Sequence, residues 1–429
     1  MPKIIKNTLL NYTPKIFEAE SSVNPARIFE INNTATKDGN IIYICEREIR
    51  AKDNFALQFA LKKGEELKLP LKIIHPKINY EYEPKQKFID NQIKQTQRTF
   101  QALNLEFEIT DKKPSEIIKH MNPAILIIDF NPILKRNYLK NADCKIYEID
   151  GHNIIPARFI SDTQEYSAAT LRRKIYYNIY SFLTEFDNLT IEKVEADYVL
   201  EDFIKNKLPY YSELKNDPSK NVTSELSGYL NLGFISSQRV ALEVIKSNVS
   251  NDNKEAFLEE LIVRKELSDN FCLYAKNFKN FSSVPNWAKM SLELHKYDLR
   301  TYIYSIHDME TAQTHDKLWN AAQIQLIKEG KIHGYLRMYW AKKILEWTTS
   351  PNEALKIAIY LNNKYAYDAP STNGYVGILW AIGGLHDRSF IDYQVTGKIR
   401  RMTYDSIKSR YDLKDYINKY TNKETGFYK

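Results

Sequence analysis

The chain has few cysteines and no apolar run long enough to cross a membrane. Its cysteines, Cys45, Cys144 and Cys272, are far apart and form no C-x-x-C pair. This argues against a zinc site or a disulfide framework and predicts reduced, packed thiols. The longest apolar run, 375–385, contains three glycines and is shorter than the roughly 20 residues that span a bilayer. No secretory signal is visible, so we expect no membrane contact and a cytoplasmic protein, or a nuclear one in a eukaryote.

Several motifs are also missing from the sequence. There is no G-x-G-x-x-G, no G-x-x-x-x-G-K-[ST] and no G-x-S-x-G, which argues against a dinucleotide fingerprint, a P-loop and a hydrolase elbow. No pair of histidines has zinc-ligand spacing, so no metal site is predicted. A net charge of +7 and a pI near 8.8 allow an anionic partner such as nucleic acid, but the pI is below the value of about 9 that marks a strongly basic domain.

A length of 429 residues favours two domains. Three β-branched runs in the first third, "NIIYICER", "LPLKIIHP" and "PAILIIDF", are typical of buried parallel strands, and amphipathic helical segments separate them. We therefore predict an N-terminal, Rossmann-like, doubly wound parallel-sheet domain over 1–165. A connecting segment over 166–200 and an all-helical domain over 201–429 follow, because the later apolar residues recur at helical spacing.

The stretch "GYLRMYWAKKILEW" is predicted to be one helix that starts at Gly334. Trp340 and Trp347 are two turns apart, so they share one side of it, and Arg337 shares that side. The tryptophans alone favour core packing. Arg337, however, needs a carboxylate or an anionic ligand, because an unpaired buried charge is too costly.

Three further stretches each have a structural and a functional interpretation. Thr223, Ser224 and Ser227 precede an apolar helical segment, where hydroxyls act as helix caps or hold phosphate. Glu260 lies in a charged helix that is typical of an exposed, salt-bridged face. The segment 386–401 mixes basic and aromatic residues, which suits either a solvated loop or contact with nucleic acid.

Taken in order, the sequence resembles the class II cyclobutane pyrimidine dimer photolyases of the photolyase and cryptochrome superfamily. The resemblance runs through "THDKLWNAAQIQLIKEGKIHGYLRMYWAKKILEW", "AIYLNNKY", "NGYVGILWAIGGLHDR" and "GKIR". Upstream, "LEELIVRKELSDNFC", "NDPSKNVTSELSGYLNLGFISSQR", "IDGHNIIPA" and "DNFALQFA" match in the same order. It covers nearly all of the chain after about residue 40.

This resemblance implies a monomeric carbon–carbon lyase that binds FAD in its helical domain and repairs UV-damaged DNA in light. An electron passes from the excited reduced flavin to a dimer flipped out of the duplex, and the ring splits. The resemblance also allows an antenna chromophore in the N-terminal domain, which nothing in the sequence identifies.

The family's cofactor residues carry over to matching positions. Arg337 and its expected partner Asp368 are placed at the flavin, and Asn362 faces flavin N5. The FAD phosphates and ribityl chain are assigned to Tyr211, Thr223, Ser224, Glu225, Leu226 and Ser227. Trp340 and Trp319 match the inner and outer members of an electron-transfer pair, with Trp347 as a third tryptophan.

On the DNA side, the resemblance assigns Glu260 to contact with the dimer and places Met338 and Trp380 in the dimer pocket. Arg400 matches a basic residue that enters the space left by the flipped bases. The chain departs from the family's pattern at Phe390, where a tryptophan is usual, and along the segment that follows. This departure motivates an alternative function, a flavin photoreceptor or DNA-binding flavoprotein of the same fold that has lost repair.

Overall fold

The computed structural model describes residues 7–19, 22–187 and 191–421. Packing divides the chain into two compact units. The first unit contains 1–80, 86–209 and 224–273, and the second contains 81–85, 210–223 and 274–429. Since this division follows packing alone, the domain boundaries at 165 and 200 stay predictions.

The first unit is built on a six-stranded sheet. Its strands are β1 (Ile28–Glu30), β2 (Ile41–Ile44), β3 (Leu71–Pro76), β4 (Phe107–Thr110), β5 (Ile125–Asp129) and β6 (Lys145–Ile149). Their spatial order is β1-β6-β5-β2-β3-β4, and every pair is parallel except β1 with β6. The order reverses between β2 and β5, which defines a doubly wound sheet. The three predicted strands are β2, β3 and β5.

The described helices follow one another as 19 α-helical segments. They are α1 (Phe55–Leu67), α2 (Glu83–Ala102), α3 (Pro114–Met121), α4 (Ala157–Ile160), α5 (Ala168–Phe182), α6 (Glu195–Asp202), α7 (Tyr211–Leu214), α8 (Ser227–Asn231), α9 (Ser237–Lys246), α10 (Asn251–Leu258), α11 (Lys265–Tyr274), α12 (Asn286–Leu294), α13 (Ile306–Glu310), α14 (Lys317–Glu329), α15 (Gly334–Glu346), α16 (Pro351–Tyr365), α17 (Thr372–Gly383), α18 (Tyr404–Lys408) and α19 (Lys414–Thr421). No helix in the described part of the chain combines the length and apolar character needed to cross a membrane.

A buried carboxylate lies at the point where the sheet order reverses. Asp129, at the end of β5, is fully buried and accepts the backbone N–H groups of Glu46, Arg47 and Glu48 and the hydroxyl of Tyr43. Doubly wound sheets commonly bind a ligand at this crevice. Here the Asp129 carboxylate accepts the backbone N–H groups of the loop that follows β2.

The second unit is helical. Helix α15 packs against α14, α16 and α17, and α14 also packs against α19. The helix starts follow the sequence: Asp316 caps α14 and Ser371 caps α17 through side-chain acceptors. Ser350 caps α16, with Pro351 in the first turn as predicted.

Candidate functional site

Helix α15 pairs its arginine with the predicted acid. Arg337 Nη1 lies 3.2 Å from Asp368 Oδ2, and two further guanidinium–carboxylate contacts measure 3.4 Å. Both side chains are partly exposed, at 23% and 13%. The ion pair is therefore formed, and both side chains remain partly accessible, as contact with a ligand requires.

A buried lysine supports the loop that carries Asp368. Lys85 Nζ donates to the carbonyl oxygens of Asn363 at 2.9 Å and Ala369 at 2.6 Å, on either side of Asp368. Burial lowers the pKa of Lys85 to about 8, and Asp368 opposes this shift. The sequence analysis missed Lys85, because hydropathy patterns assign a lysine to the solvent face.

Asn362 presents an amide with little internal bonding. The residue is 3% exposed on α16, and its Nδ2 makes one contact in the described structure, at 3.5 Å, with Asn363 Oδ1. Gly374 in the first turn of α17 leaves room beside it, since a Cβ there would lie 3.0 Å from Asn362 Nδ2. An amide that is buried and so weakly bonded fits contact with a polar ligand.

His333, the residue before α15, is a second buried polar group that the sequence analysis missed. It is 8% exposed, and both ring nitrogens lack a hydrogen-bond partner among the described residues. Burial lowers its pKa to about 4, so the ring is neutral at pH 7. Buried polar atoms are almost always satisfied, so an orphaned ring one turn before Arg337 indicates room for a polar ligand.

The remaining predicted cofactor residues are divided between the units. Tyr211, buried at the start of α7, and Thr223 belong to the second unit. Ser224, Glu225, Leu226 and Ser227 belong to the first, where Ser227 begins α8 without a side-chain N-cap bond and Leu226 N–H contacts Ser224 Oγ at 3.4 Å. The start of α8 therefore does not decide between the two interpretations of these hydroxyl groups, helix capping and phosphate binding.

The predicted tryptophan pair forms a parallel stack. The ring centres of Trp319 on α14 and Trp340 on α15 are 6.3 Å apart, and the angle between the ring planes is 5°. Both side chains are fully buried. Trp319 Nε1 donates to the Trp340 carbonyl at 3.0 Å, and Trp340 Nε1 donates to Gln323 Oε1 at 2.9 Å. Trp347 caps the end of α15, and its ring meets Trp319 edge-on at 5.6 Å. Trp319 therefore joins Trp340 to Trp347.

Further aromatic rings extend from this stack to the surface. The ring of Trp347 lies 5.5 Å from Tyr304 and 5.2 Å from His315, which is exposed. The Tyr304 hydroxyl accepts the His315 backbone N–H at 2.9 Å and lies 2.7 Å from His315 Nδ1. The hydroxyl donates to Nδ1 when that nitrogen carries no proton, and partial burial of the ring, which lowers its pKa, favours this neutral form. The sequence analysis missed both residues.

The predicted DNA-side residues of the second unit share one cavity of ≈ 390 Å³. Its lining contains three arginines and no carboxylate, together with aromatic and apolar side chains. This volume is within the usual range of ligand sites. The lining residues are Tyr335, Met338, Trp380, Phe390, Ile391, Tyr393, Arg400, Arg401, Met402, Ser406 and Arg410.

Arg400 is held among the aromatic rings of this cavity. Its guanidinium carbon lies 4.4 Å from the centre of the Phe390 ring and 5.8 Å from that of Trp380, and its Nε pairs with Asp387 at 3.2 Å. Lys342 Nζ lies 4.7 Å from the centre of the Trp380 ring, and burial lowers the pKa of this lysine to about 7. The cavity therefore combines flat apolar surfaces with positive charge.

Glu260 does not line this cavity. It lies in the first unit, in a π-helical turn over Glu259–Arg264, and is exposed. The neighbouring Glu259 pairs with Arg172 and Arg264 as expected of a surface face. The expected exposed face is wrong for the rest of the charged stretch, where Lys265, Glu266 and Asp269 are buried. The role of Glu260 at the dimer stays a prediction.

Comparison with curated proteins decides the family. The chain is 34% identical to a protein of Arabidopsis thaliana named deoxyribodipyrimidine photo-lyase, with 92% of this chain and 93% of that protein covered. The chain belongs to the deoxyribodipyrimidine photo-lyase family. It is also 32% identical to the photo-lyase of Potorous tridactylus, over 98% of this chain and 88% of that one. The photo-lyase of Methanothermobacter thermautotrophicus is 30% identical, over 88% and 94%.

Solved structures of photolyases and cryptochromes share the fold. A class III photolyase from Agrobacterium tumefaciens superposes with a TM-score of 0.65 at 15% identity, covering 91% of this chain and 88% of that one. A Synechocystis cryptochrome gives 0.69 at 13% identity, covering 90% and 89%. No protein-family model matches the chain. The predicted fold class and photolyase membership are confirmed, whereas the roles of individual residues stay predictions.

Proposed function

We propose that this photolyase is a class II enzyme that uses FAD and light to split cyclobutane pyrimidine dimers in DNA. One observation carries the proposal: α15 directs Arg337 to Asp368, Met338 into the arginine-lined cavity and Trp340 into the tryptophan stack. A single helix thus serves a cofactor site, a substrate site and a route for electrons. The names of the relatives support the reaction.

The residues around Arg337 fit FAD. Arg337 and Asp368 would hold one edge of the flavin, and the weakly bonded Asn362 amide would hold a proton at N5. Tyr211 and the stretch Thr223 to Ser227 would hold the phosphates and the ribityl chain. When bound, FAD supplies the photochemical transfer of an electron to the dimer, and the protein supplies position and charge.

The cavity suits a dimer that has left the base stack. Trp380, Phe390 and Met338 offer flat apolar surfaces to the pyrimidines, and the arginines meet the backbone phosphates. Glu260 is also proposed to contact the dimer. We propose that the enzyme acts as a monomer on UV-damaged DNA, in the cytoplasm or in a eukaryotic nucleus. An antenna chromophore in the N-terminal domain is compatible with this function. Conversion of dimers to pyrimidines under illumination tests the activity.

The tryptophan stack is proposed to end at Tyr304. An electron passes from Tyr304 through Trp347 to the oxidised Trp319–Trp340 pair, and the hydroxyl proton moves to His315 Nδ1. The products are a neutral tyrosyl radical, an imidazolium and a neutral tryptophan pair. Proton transfer makes the return of the electron slower, so that the reduced flavin accumulates.

Tyr304→Phe should therefore lower the yield of light-driven flavin reduction by about 2- to 10-fold, which corresponds to a barrier change of about 0.4 to 1.4 kcal/mol. Flash absorption of the bound flavin measures this yield. Tyr302→Phe is the matched control, because the Tyr302 ring also stacks on His315, at 3.7 Å, whereas the hydroxyl beside Nδ1 is that of Tyr304. Equal yields in wild type and Tyr304→Phe would remove Tyr304 from the route.

Phe390→Trp should strengthen binding of dimer-containing duplex. A larger ring beneath Arg400 gives a better cation–π contact, worth about 0.5 to 1 kcal/mol, or about 2- to 5-fold in Kd. Titration with labelled duplexes, with and without the dimer, measures the effect, and Phe390→Leu should weaken the same binding. If neither substitution changed the affinity, Phe390 would not contact the lesion.

The alternative function, a flavin photoreceptor without repair, is favoured by one observation, the phenylalanine at position 390 where the family usually has tryptophan. Phe390 nevertheless lines the cavity with Arg400 over its ring. The contact surface is reduced but retained, so repair remains the preferred function.

A further inference from the structure

The segment 390–398, here called the cavity loop, supplies Phe390, Ile391 and Tyr393 to the cavity. Its ends are joined by the Phe390 N–H, which donates to the Lys398 carbonyl at 2.9 Å. Tyr393 and Gly397 exchange two backbone hydrogen bonds of 3.1 and 2.8 Å. The position of these cavity residues therefore depends on what anchors the loop.

The anchor is the end of α12 and the turn that follows it. Ser291 Oγ accepts the Lys398 N–H at 2.8 Å, and Asp298 Oδ2 accepts the Val395 N–H at 2.8 Å. Val395 has φ +68°, which is unfavourable for a β-branched residue, so outside contacts must hold it. Gly397 permits the close approach, since a Cβ there would lie 2.3 Å from Ser291 Oγ.

His295 lies at the centre of this anchor and faces two carboxylates. Its Nδ1 is 2.6 Å from Asp298 Oδ2, and its Nε2 is 2.7 Å from Asp392 Oδ1 in the cavity loop. A neutral imidazole donates through one nitrogen only, so both contacts are satisfied only by the imidazolium. The protonated ring thus cross-links α12 to the cavity loop.

Resting on the proposed function, we propose that protonated His295 is a positioning residue for lesion recognition. It holds the cavity loop so that Phe390, Ile391 and Tyr393 line the site where the dimer binds. Loss of the proton leaves one ring nitrogen opposite a carboxylate, releases Asp392 or Asp298, and loosens the loop. Affinity for damaged DNA then falls, while the flavin and tryptophan residues are unaffected.

The charges around His295 set the direction of the pH dependence. The hydrogen bond with Asp298 raises the pKa of His295, and Asp392 adds to this shift. Arg300 donates to the Asp298 carbonyl at 3.1 Å, and Lys296 is paired with Glu293. The pKa of His295 is raised while the cavity loop is anchored. The loop is therefore fully anchored below the ordinary histidine pKa of about 6.5, and it loses this anchor as the pH rises through the raised pKa of His295.

The test measures Kd for a duplex containing one thymine dimer, between pH 6 and 9, on the FAD-loaded protein. Wild type should bind less tightly as the pH rises through the raised pKa of His295. His295→Gln should bind about 3- to 10-fold more weakly than wild type at pH 6, with a flatter pH profile. Asp392→Asn should also flatten the profile. His307→Gln is the matched control, an exposed histidine of the same unit in α13.

Flavin content and light-driven flavin reduction should be unchanged in His295→Gln, which separates this role from a folding defect. A second measurement needs no variant: hydrogen exchange of the 393–399 peptide in wild type, corrected for intrinsic rates, should lose protection over the same pH range. A wild-type pH profile in His295→Gln, or constant protection of the peptide, overturns the inference and leaves the photolyase function standing. Failure of wild type to prefer dimer-containing DNA at any pH would instead contradict the proposed function.

Discussion

Trp340→Phe is expected to slow light-driven reduction of the bound flavin by about 10- to 100-fold, the change that a barrier increase of about 1.4 to 2.7 kcal/mol produces. Phenylalanine retains a ring but is much harder to oxidise than tryptophan. Trp340 stacks in parallel with Trp319 at 6.3 Å, so its loss interrupts the contact that leads to Trp347 and the surface. Absorbance of the oxidised flavin under steady light with an external reductant measures the rate.

Two controls isolate the electron route. Trp287→Phe should photoreduce normally, because Trp287 packs against Gly384 and the ring contacts of the stack in the described residues do not include it. Trp340→Phe that has been reduced chemically should repair dimers at the wild-type rate, since the stack serves reduction of the flavin and not repair. Normal photoreduction in Trp340→Phe would exclude Trp340 from the route.

Asp368→Asn is expected to weaken FAD binding by about 5- to 100-fold, which corresponds to about 1 to 3 kcal/mol for removing the charged partner of a partly buried cation. An amide cannot neutralise Arg337, and the Asp368 charge also acts on buried Lys85. The flavin edge would then meet an arginine without its carboxylate. Titration of the apoprotein with FAD measures the affinity.

Asp387→Asn is the matched control for this effect. Asp387 also pairs with an arginine in the second unit, but its partner is Arg400 in the cavity. We expect this variant to retain FAD affinity and to change binding of damaged DNA. Equal losses of FAD in both variants would indicate general destabilisation and would contradict a specific role for Asp368.

Much of the first unit could be predicted because its central strands are buried on both faces. Strand β2 is a continuous apolar run, β5 is one as far as its final residue Asp129, and each residue of both strands is buried. The missed strands are β1, β4 and β6, which carry partly exposed or polar residues such as those of "KIYEI". Short strands of this kind give too weak a pattern for prediction from periodicity.

Prediction of the site residues depended more on the family resemblance than on the spacing of residues in the sequence. Helical geometry places Trp340 and Trp347 on one side of α15, but their shared partner Trp319 lies on α14, and no local pattern joins the two helices. His333 and Lys85 were missed because both are buried polar residues, whereas hydropathy patterns predict burial for apolar residues only. His295 was missed because its partner Asp392 is 97 residues away.

Repair of a defined lesion tests the central claim most directly. The FAD-loaded protein, chemically reduced, is mixed with a duplex oligonucleotide that contains one thymine dimer, and the products are separated after illumination and after an equal time in the dark. The account predicts recovery of two intact thymines in the light and none in the dark. Tight binding of the damaged duplex without conversion in the light would contradict it and would favour the alternative, a flavin photoreceptor or DNA-binding flavoprotein that has lost repair.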